Sequence, residues 1–198
     1  MIPNGSSSML SAIIATHESE RALVHTLAAL VPGAAAGLLA EVVVADAGSR
    51  DATAEVADIA GCRFISSTEP IGARLKAAAA STRSPWLMFL RAGAVPQAGW
   101  INAAERFMQA TDLLDGAARA AVFRPPAAAD YLRPRVAEII ALLRAVFGGG
   151  PGPEQGLLIA RRFYEVVGGH SASADAETAL LRCLGRRRTA MLPVAITR

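Results

Sequence analysis

Val42-Val43-Val44-Ala45-Asp46-Ala47-Gly48-Ser49-Arg50-Asp51-Ala52-Thr53 is the stretch that decides how this chain folds. A valine run ends on a carboxylate, a glycine and a serine follow, and Asp51 stands where a helix N-cap is wanted. Strands that are apolar on both faces belong to parallel sheets, and the carboxyl ends of such strands are where those sheets bind ligands. Asp46 has two readings there. Its carboxylate can accept the imide N–H of a bound base while Gly48 lets backbone approach the ligand, or it can cap the turn of residues 46–49.

The same alternation continues on both sides. Upstream, an apolar run at 9–15 predicts a buried strand, and Thr16 or Ser19 can cap a helix that carries Leu23, Leu27 and Leu30 until Pro32-Gly33 stops it. Downstream, Asp51 opens a helix with Val56 and Ile59 facing inward as far as Gly61. A weaker strand at 63–66, a helix at 71–82 and the continuous apolar strand 86–90 follow. The later half is less regular: a helix near 99–109, a strand near 120–124, a helix over about 134–147, a glycine and proline loop at 148–153, a strand at 156–160, a helix at 162–167 and a last helix at 175–184. Strands alternating with helices in this way predict an α/β layer fold with a mostly parallel central sheet and flanking helices.

Composition sets the bounds. At 198 residues, with 53% hydrophobic and 19% charged, the chain fits one globular domain spanning 1–198 with a core that needs no staples. Cys62 and Cys183 are too few and too far apart for a disulfide framework or a zinc site. The apolar stretch 23–40 is interrupted by His25, Thr26, Pro32, Gly33 and Gly37, which argues against a membrane span, and the amino terminus has no secretory pattern. Cytoplasmic residence is the expectation. A net charge of +3, gathered around Arg186-Arg187-Arg188, reads as a solvated basic face and does not imply nucleic acid.

Four segments in order resemble glycosyltransferase family 2. Ala12-Ile13-Ile14-Ala15-Thr16-His17-Glu18-Ser19-Glu20 is similar to its opening V-I-I-P-T-x-N-E-E, and residues 42–53 to its V-V-D-x-G-S-x-D-x-T. Ile71-Gly72-Ala73-Arg74 resembles G-x-A-R, and the stretch from Gly152 to Gly169 resembles the acceptor-side strand, helix and G-G-F turn, with His170 in the phenylalanine place. The resemblance covers nearly the whole chain. It implies a single-domain GT-A-like (nucleotide-diphospho-sugar transferase) fold that binds a nucleotide sugar of UDP type and passes a hexose to an unspecified acceptor. By that resemblance Thr16, Glu18, Asp46 and Gly48 meet the nucleoside, Arg74 faces the phosphates, and Glu177, with Asp175 beside it, falls at the general-base position.

Two departures fall on the chemistry. The short bacterial subgroup with F-L-H-A-D-T after its fourth strand uses that aspartate to hold Mg²⁺ or Mn²⁺; this chain reads Phe89-Leu90-Arg91-Ala92-Gly93-Ala94, so the ligand motif is absent. The late E-D-V-E reads Ala176-Glu177-Thr178-Ala179. A guanidinium has no acceptor atom for a metal but forks well onto a diphosphate, so Arg91 either replaces the metal or merely reaches solvent or a nearby carboxylate. Each carries its own function: a metal-independent transferase, or an inactive paralogue kept for nucleotide binding or interaction. His170 is a second candidate base, or only a turn residue. The stripe Val136, Ile139, Ile140, Leu143 and Val146 reads as a core helix; at the inner membrane face it would suit a lipid-linked acceptor.

Overall fold

The computed structural model describes residues 9–113, 119–125 and 151–198. The helix expected over 134–147 and the glycines 148–150 lie outside these residues. Strands β1 (Leu10–Thr16), β2 (Leu39–Asp46), β3 (Arg63–Ser66) and β4 (Trp86–Arg91) alternate with helices α1 (Glu20–Ala35), α2 (Thr53–Ile59) and α3 (Ile71–Ser81). All four strands run parallel, in the order β3-β2-β1-β4. Chain order reverses between β1 and β4, and at such a switch point the crossover helices lie on opposite faces and leave a crevice above the strand ends.

Beyond β4 come β5 (Val95–Pro96), α4 (Trp100–Leu113), β6 (Ala120–Arg124), a 3₁₀ turn at Pro153–Gln155, β7 (Leu157–Ala160), α5 (Arg161–Val166), α6 (Ala176–Arg188) and β8 (Thr189–Thr197). β7 lies antiparallel to both β4 and β6, β8 parallel to β6, and β5 antiparallel to β8. The sheet is therefore mostly parallel, with its antiparallel pairs gathered past β4.

Alternation along β4 builds both halves of the core. Trp86, Met88 and Leu90 pack with Leu23, Leu30 and Trp100 on one face, while Leu87 and Phe89 pack with Leu75, Phe163 and Leu181 on the other. Both faces are covered, so these strands carry no polar stripe. Trp86 is 1% exposed, and truncating it to alanine would cost about 3–5 kcal/mol by lost burial and a residual cavity.

Two expectations need correction, and one element was not foreseen. Pro32-Gly33 does not stop α1, which continues to Ala35. Proline forfeits one N–H, but the carbonyls of Pro32, Ala34 and Gly33 still accept from Ala36, Gly37 and Leu38, each at 3.0 Å, and the stop is Gly37 at φ +74°. Ile59 does not face inward: it is 78% exposed, because so short a helix buries only Thr53 and Ala57. The arginines 186–188 are exposed, and the stretch after them, for which the sequence pattern predicts no element, is strand β8, which buries Leu192 and Ile196. Pro193 lacks a ladder donor, and the β6–β8 register shifts between Val122 and Arg124 where it sits.

Candidate functional site

The parallel register brings the strand ends level. Thr16 lies opposite Asp46, Asp46 opposite Ser66, and Ala15 opposite Arg91. Four elements thus present their last side chains along one edge of the sheet, and two clusters form there.

The first cluster surrounds Asp46, which is fully buried. Its Oδ1 accepts from Thr16 Oγ1 at 2.8 Å and Ser49 Oγ at 2.5 Å; its Oδ2 accepts from the N–H groups of Gly48 and Ser49, both at 2.7 Å, and from Ser66 Oγ at 3.3 Å. Burial pushes the carboxyl pKa up, but the hydrogen bonds from Ser49, Thr16 and Gly48 together outweigh it and hold it below the usual carboxylate value. Gly48 sits at φ +84°, which is what lets two successive N–H groups turn back onto that carboxylate. As folded, Asp46 ties the ends of β1, β2 and β3 into one loop system, the turn-capping reading of its position.

Glu18 clamps the β1 and β2 loops from outside. Its N–H donates to Ser49 Oγ and its Oε1 accepts from Arg50 N–H, both at 2.8 Å, and at φ +47° it is the one non-glycine residue with positive φ among those described. Holding a side-chain-bearing residue there costs about 1 kcal/mol, and such strain collects at ligand clamps. Asp51, expected as an N-cap, stands one residue before it, Ala52 holding the cap position of α2, and serves two helices from there: Oδ1 accepts from Thr53 N–H at 3.0 Å and Oδ2 from Glu20 N–H at 3.0 Å. Ser19 holds the cap position of α1 without bonding the helix; its hydroxyl donates to the His17 carbonyl at 2.7 Å.

Arg74 is 9% exposed and lies beneath this cluster. Its Nη1 donates to the carbonyls of Ala45 at 2.5 Å and Thr16 at 3.4 Å, and its Nε to Glu69 O at 3.1 Å. Burial draws its pKa down, while Asp46 and Glu177 pull it back up. The guanidinium therefore places positive charge under the strand ends between the two clusters.

The second cluster stands at the end of β4. The Nε of Arg91 reaches both oxygens of Glu177, at 3.2 and 3.0 Å, and its Nη2 donates to Glu177 Oε2 in a closer contact. Arg91 Nη1 also approaches Glu154 Oε1 at 3.4 Å, and Arg198 pairs with Glu154 Oε2. The hydrogen bonds to Glu177 lead in raising the Arg91 pKa. Glu177 arrives because Gly72 lets α3 touch the segment before α6: a Cβ at Gly72 would lie 1.8 Å from the Ser171 carbonyl oxygen. Asp175 does not join; it accepts from Ser173 Oγ at 2.9 Å at the exposed start of α6.

His170 is no exposed turn residue. It is 1% exposed, stacked edge-on against Phe89, and the Tyr164 hydroxyl accepts from its N–H at 3.1 Å while facing Nδ1 at 2.9 Å. Burial lowers the His170 pKa to about 4 and raises that of Tyr164 to about 12, so this imidazole is not poised as a near-neutral base.

The donors at the β4 end do not fit a divalent cation. Arg91 and Gly93 supply no acceptor side chain, Glu177 and Glu154 are spent on Arg91, and no three metal-ligating side chains converge among the described residues. Among those residues there is also no helix long and apolar enough to cross a membrane.

Comparison with solved structures finds the same fold. The glucosyl-3-phosphoglycerate synthase of M. tuberculosis superposes with a TM-score of 0.66 at 18% identity, over 96% of this chain and 72% of that one. The same enzyme in complex with Mn²⁺, UDP-glucose and phosphoglyceric acid gives 0.64 at 20% identity, over 93% and 69%. Mannosyl-3-phosphoglycerate synthase from Rubrobacter xylanophilus gives 0.61 at 18% identity, over 92% and 64%. No curated protein matches the sequence. The family model described as glycosyl transferase family 2 matches residues 11–126, which take in the Asp46 cluster and Arg91 and run through β6, and with the GT-A-like fold around them this places the chain in that family.

Proposed function

We propose that the chain binds a nucleoside diphosphate sugar, of uridine type, in the crevice above β1, β2 and β4, and transfers its hexose without a bound metal. The observation that carries this reading is Arg91. Its guanidinium occupies the strand end where the family's metal-binding segment falls, one strand from Thr16 and two from the Asp46 loop. A planar fork of donors suits a diphosphate as it suits a carboxylate. In this reading the nucleoside lies along Thr16, Glu18 and the Gly48 turn, which Asp46 holds open, and Arg74 adds positive charge from below. Glu177 takes the proton of an acceptor hydroxyl as its oxygen bonds to the anomeric carbon. The bond to the nucleoside diphosphate breaks with its electron pair going to the diphosphate oxygen beside Arg91.

The M. tuberculosis synthase has been solved with UDP and with phosphoglyceric acid, which supports the donor class; the acceptor here is any hydroxyl compound the outer loops admit, a lipid-linked one included. Calorimetric titration with UDP, in EDTA and then in Mn²⁺, tests the reading. Equal binding in both supports it, and binding that appears only with Mn²⁺ overturns it. A second reading, an inactive paralogue kept for nucleotide binding or interaction, is favoured by the mutual neutralisation of Arg91 and Glu177. It predicts no hydrolysis or transfer from any nucleotide sugar.

A further inference from the structure

Glu177 cannot be an available base while it is chelated by Arg91. Both of its oxygens lie on the Nε and Nη2 edge of the guanidinium, the edge a diphosphate would use for a two-point contact. On the neighbouring corner, Nη1 faces Glu154, whose other oxygen is held by Arg198. The four groups alternate in sign, so the ligand-free cluster is charge-balanced. Adding a diphosphate breaks that balance, because like charges brought to the same guanidinium in a partly buried site repel one another. The carboxylate and the diphosphate therefore compete for one fork.

Resting on the metal-free donor reading above, we propose that the donor itself unmasks the base: its diphosphate displaces Glu177 from Arg91, and Glu154 is the positioning residue that keeps the guanidinium turned toward the crevice during the exchange. The consequence is an ordered reaction. Without donor, both oxygens of Glu177 are held by Arg91. With donor bound, the released carboxylate stands beside the sugar, and the acceptor binds second. Glu177 already lines a small recess with Phe89, Leu157, His170 and Leu181, on the α6 side of the ion pair.

The experiment is a UDP titration of the full chain in EDTA, comparing the wild type with Glu177→Gln, Glu177→Asp and Glu154→Gln. Removing the competing charge should tighten UDP about tenfold in Glu177→Gln. The aspartate, too short to reach the fork, should tighten it about threefold and serves should the glutamine variant not fold. Transfer should fall by at least 100-fold in Glu177→Gln. Glu154→Gln should raise the donor KM while leaving kcat within twofold, a split that a purely structural role would not give. If the wild type binds UDP in EDTA but both Glu177 variants bind it equally or more weakly, the exchange is overturned and the donor reading stands. If the wild type binds no UDP in EDTA, both fall.

Discussion

At the ends of β1, β2 and β3 a carboxylate is answered by neutral donors, whereas at the end of β4 a cation is answered by carboxylates, and the two regions respond differently to a ligand. The hydrogen bonds that hydroxyl and amide donors make to the buried Asp46 carboxylate are short and several, so that loop system is set before anything binds. The Arg91 cluster is drawn from four distant parts of the chain and is partly open to solvent, and its partners are charges that a phosphate can replace. One region positions by rigidity and the other by exchange.

Breaking the rigid side should have the largest effect. Asp46→Ala removes both acceptor oxygens from the donors of Thr16, Gly48 and Ser49 at once, each costing about 1–3 kcal/mol when orphaned, so the variant should lose at least about 3 kcal/mol in a denaturant titration and bind no UDP. Retention of wild-type stability would mean the Asp46 network does not set the loop.

Acid should separate the two regions by pH window. His170 beneath the end of β4 is neutral in the fold, with a pKa near 4 against about 6.5 when unfolded. A depressed folded pKa means its contribution is complete above pH 6.5 and is lost as pH falls toward 4, a loss of about 3 kcal/mol. Asp46, also depressed, gives up its contribution only as pH drops through and below the ordinary carboxylate value of 3.8. His170→Phe should flatten the upper window of a stability-against-pH curve and leave the lower one; an unchanged upper window would remove His170 as its source.

Smaller effects sharpen the exchange side. Glu177→Ala should cut transfer by about 100-fold or more, in the range for loss of a general base, with a stability change near 1 kcal/mol by thermal unfolding. Glu154→Gln should change stability by less than about 1 kcal/mol, since Glu154 is half exposed at 48%, and a larger loss would show that the corner is a structural anchor.

Much of the first region was legible because it is local. The valine run, Asp46, Gly48 and Ser49 lie within eight residues, and the strand-turn-helix reading needs only their periodicity and turn chemistry. Ser49 could have been singled out as a second ligand of that carboxylate from its place in the motif. Ser66 gave no signal, since only the β2–β3 register brings it to Asp46. Glu154 and Arg198 gave none either: Glu154 meets Arg91 across 63 positions, and Arg198 joins only through Glu154. The β8 strand was hidden by the arginines before it and by Pro193, and Ile59 misled because an apolar residue on a short helix need not lie on its buried face.

By itself, the sequence determined the alternation of buried strands and helices, the parallel β1–β4 sheet and the carboxylate turn after β2, because backbone periodicity and local hydrogen bonding act over a few residues. It also showed that the end of β4 carries a guanidinium where a metal ligand is expected. Only the tertiary structure decided what that guanidinium does at rest. Pairing Arg91 with Glu177 takes the close approach of α3 and α6 at Gly72, and contacts between residues 86 positions apart are set by packing rather than by any local pattern.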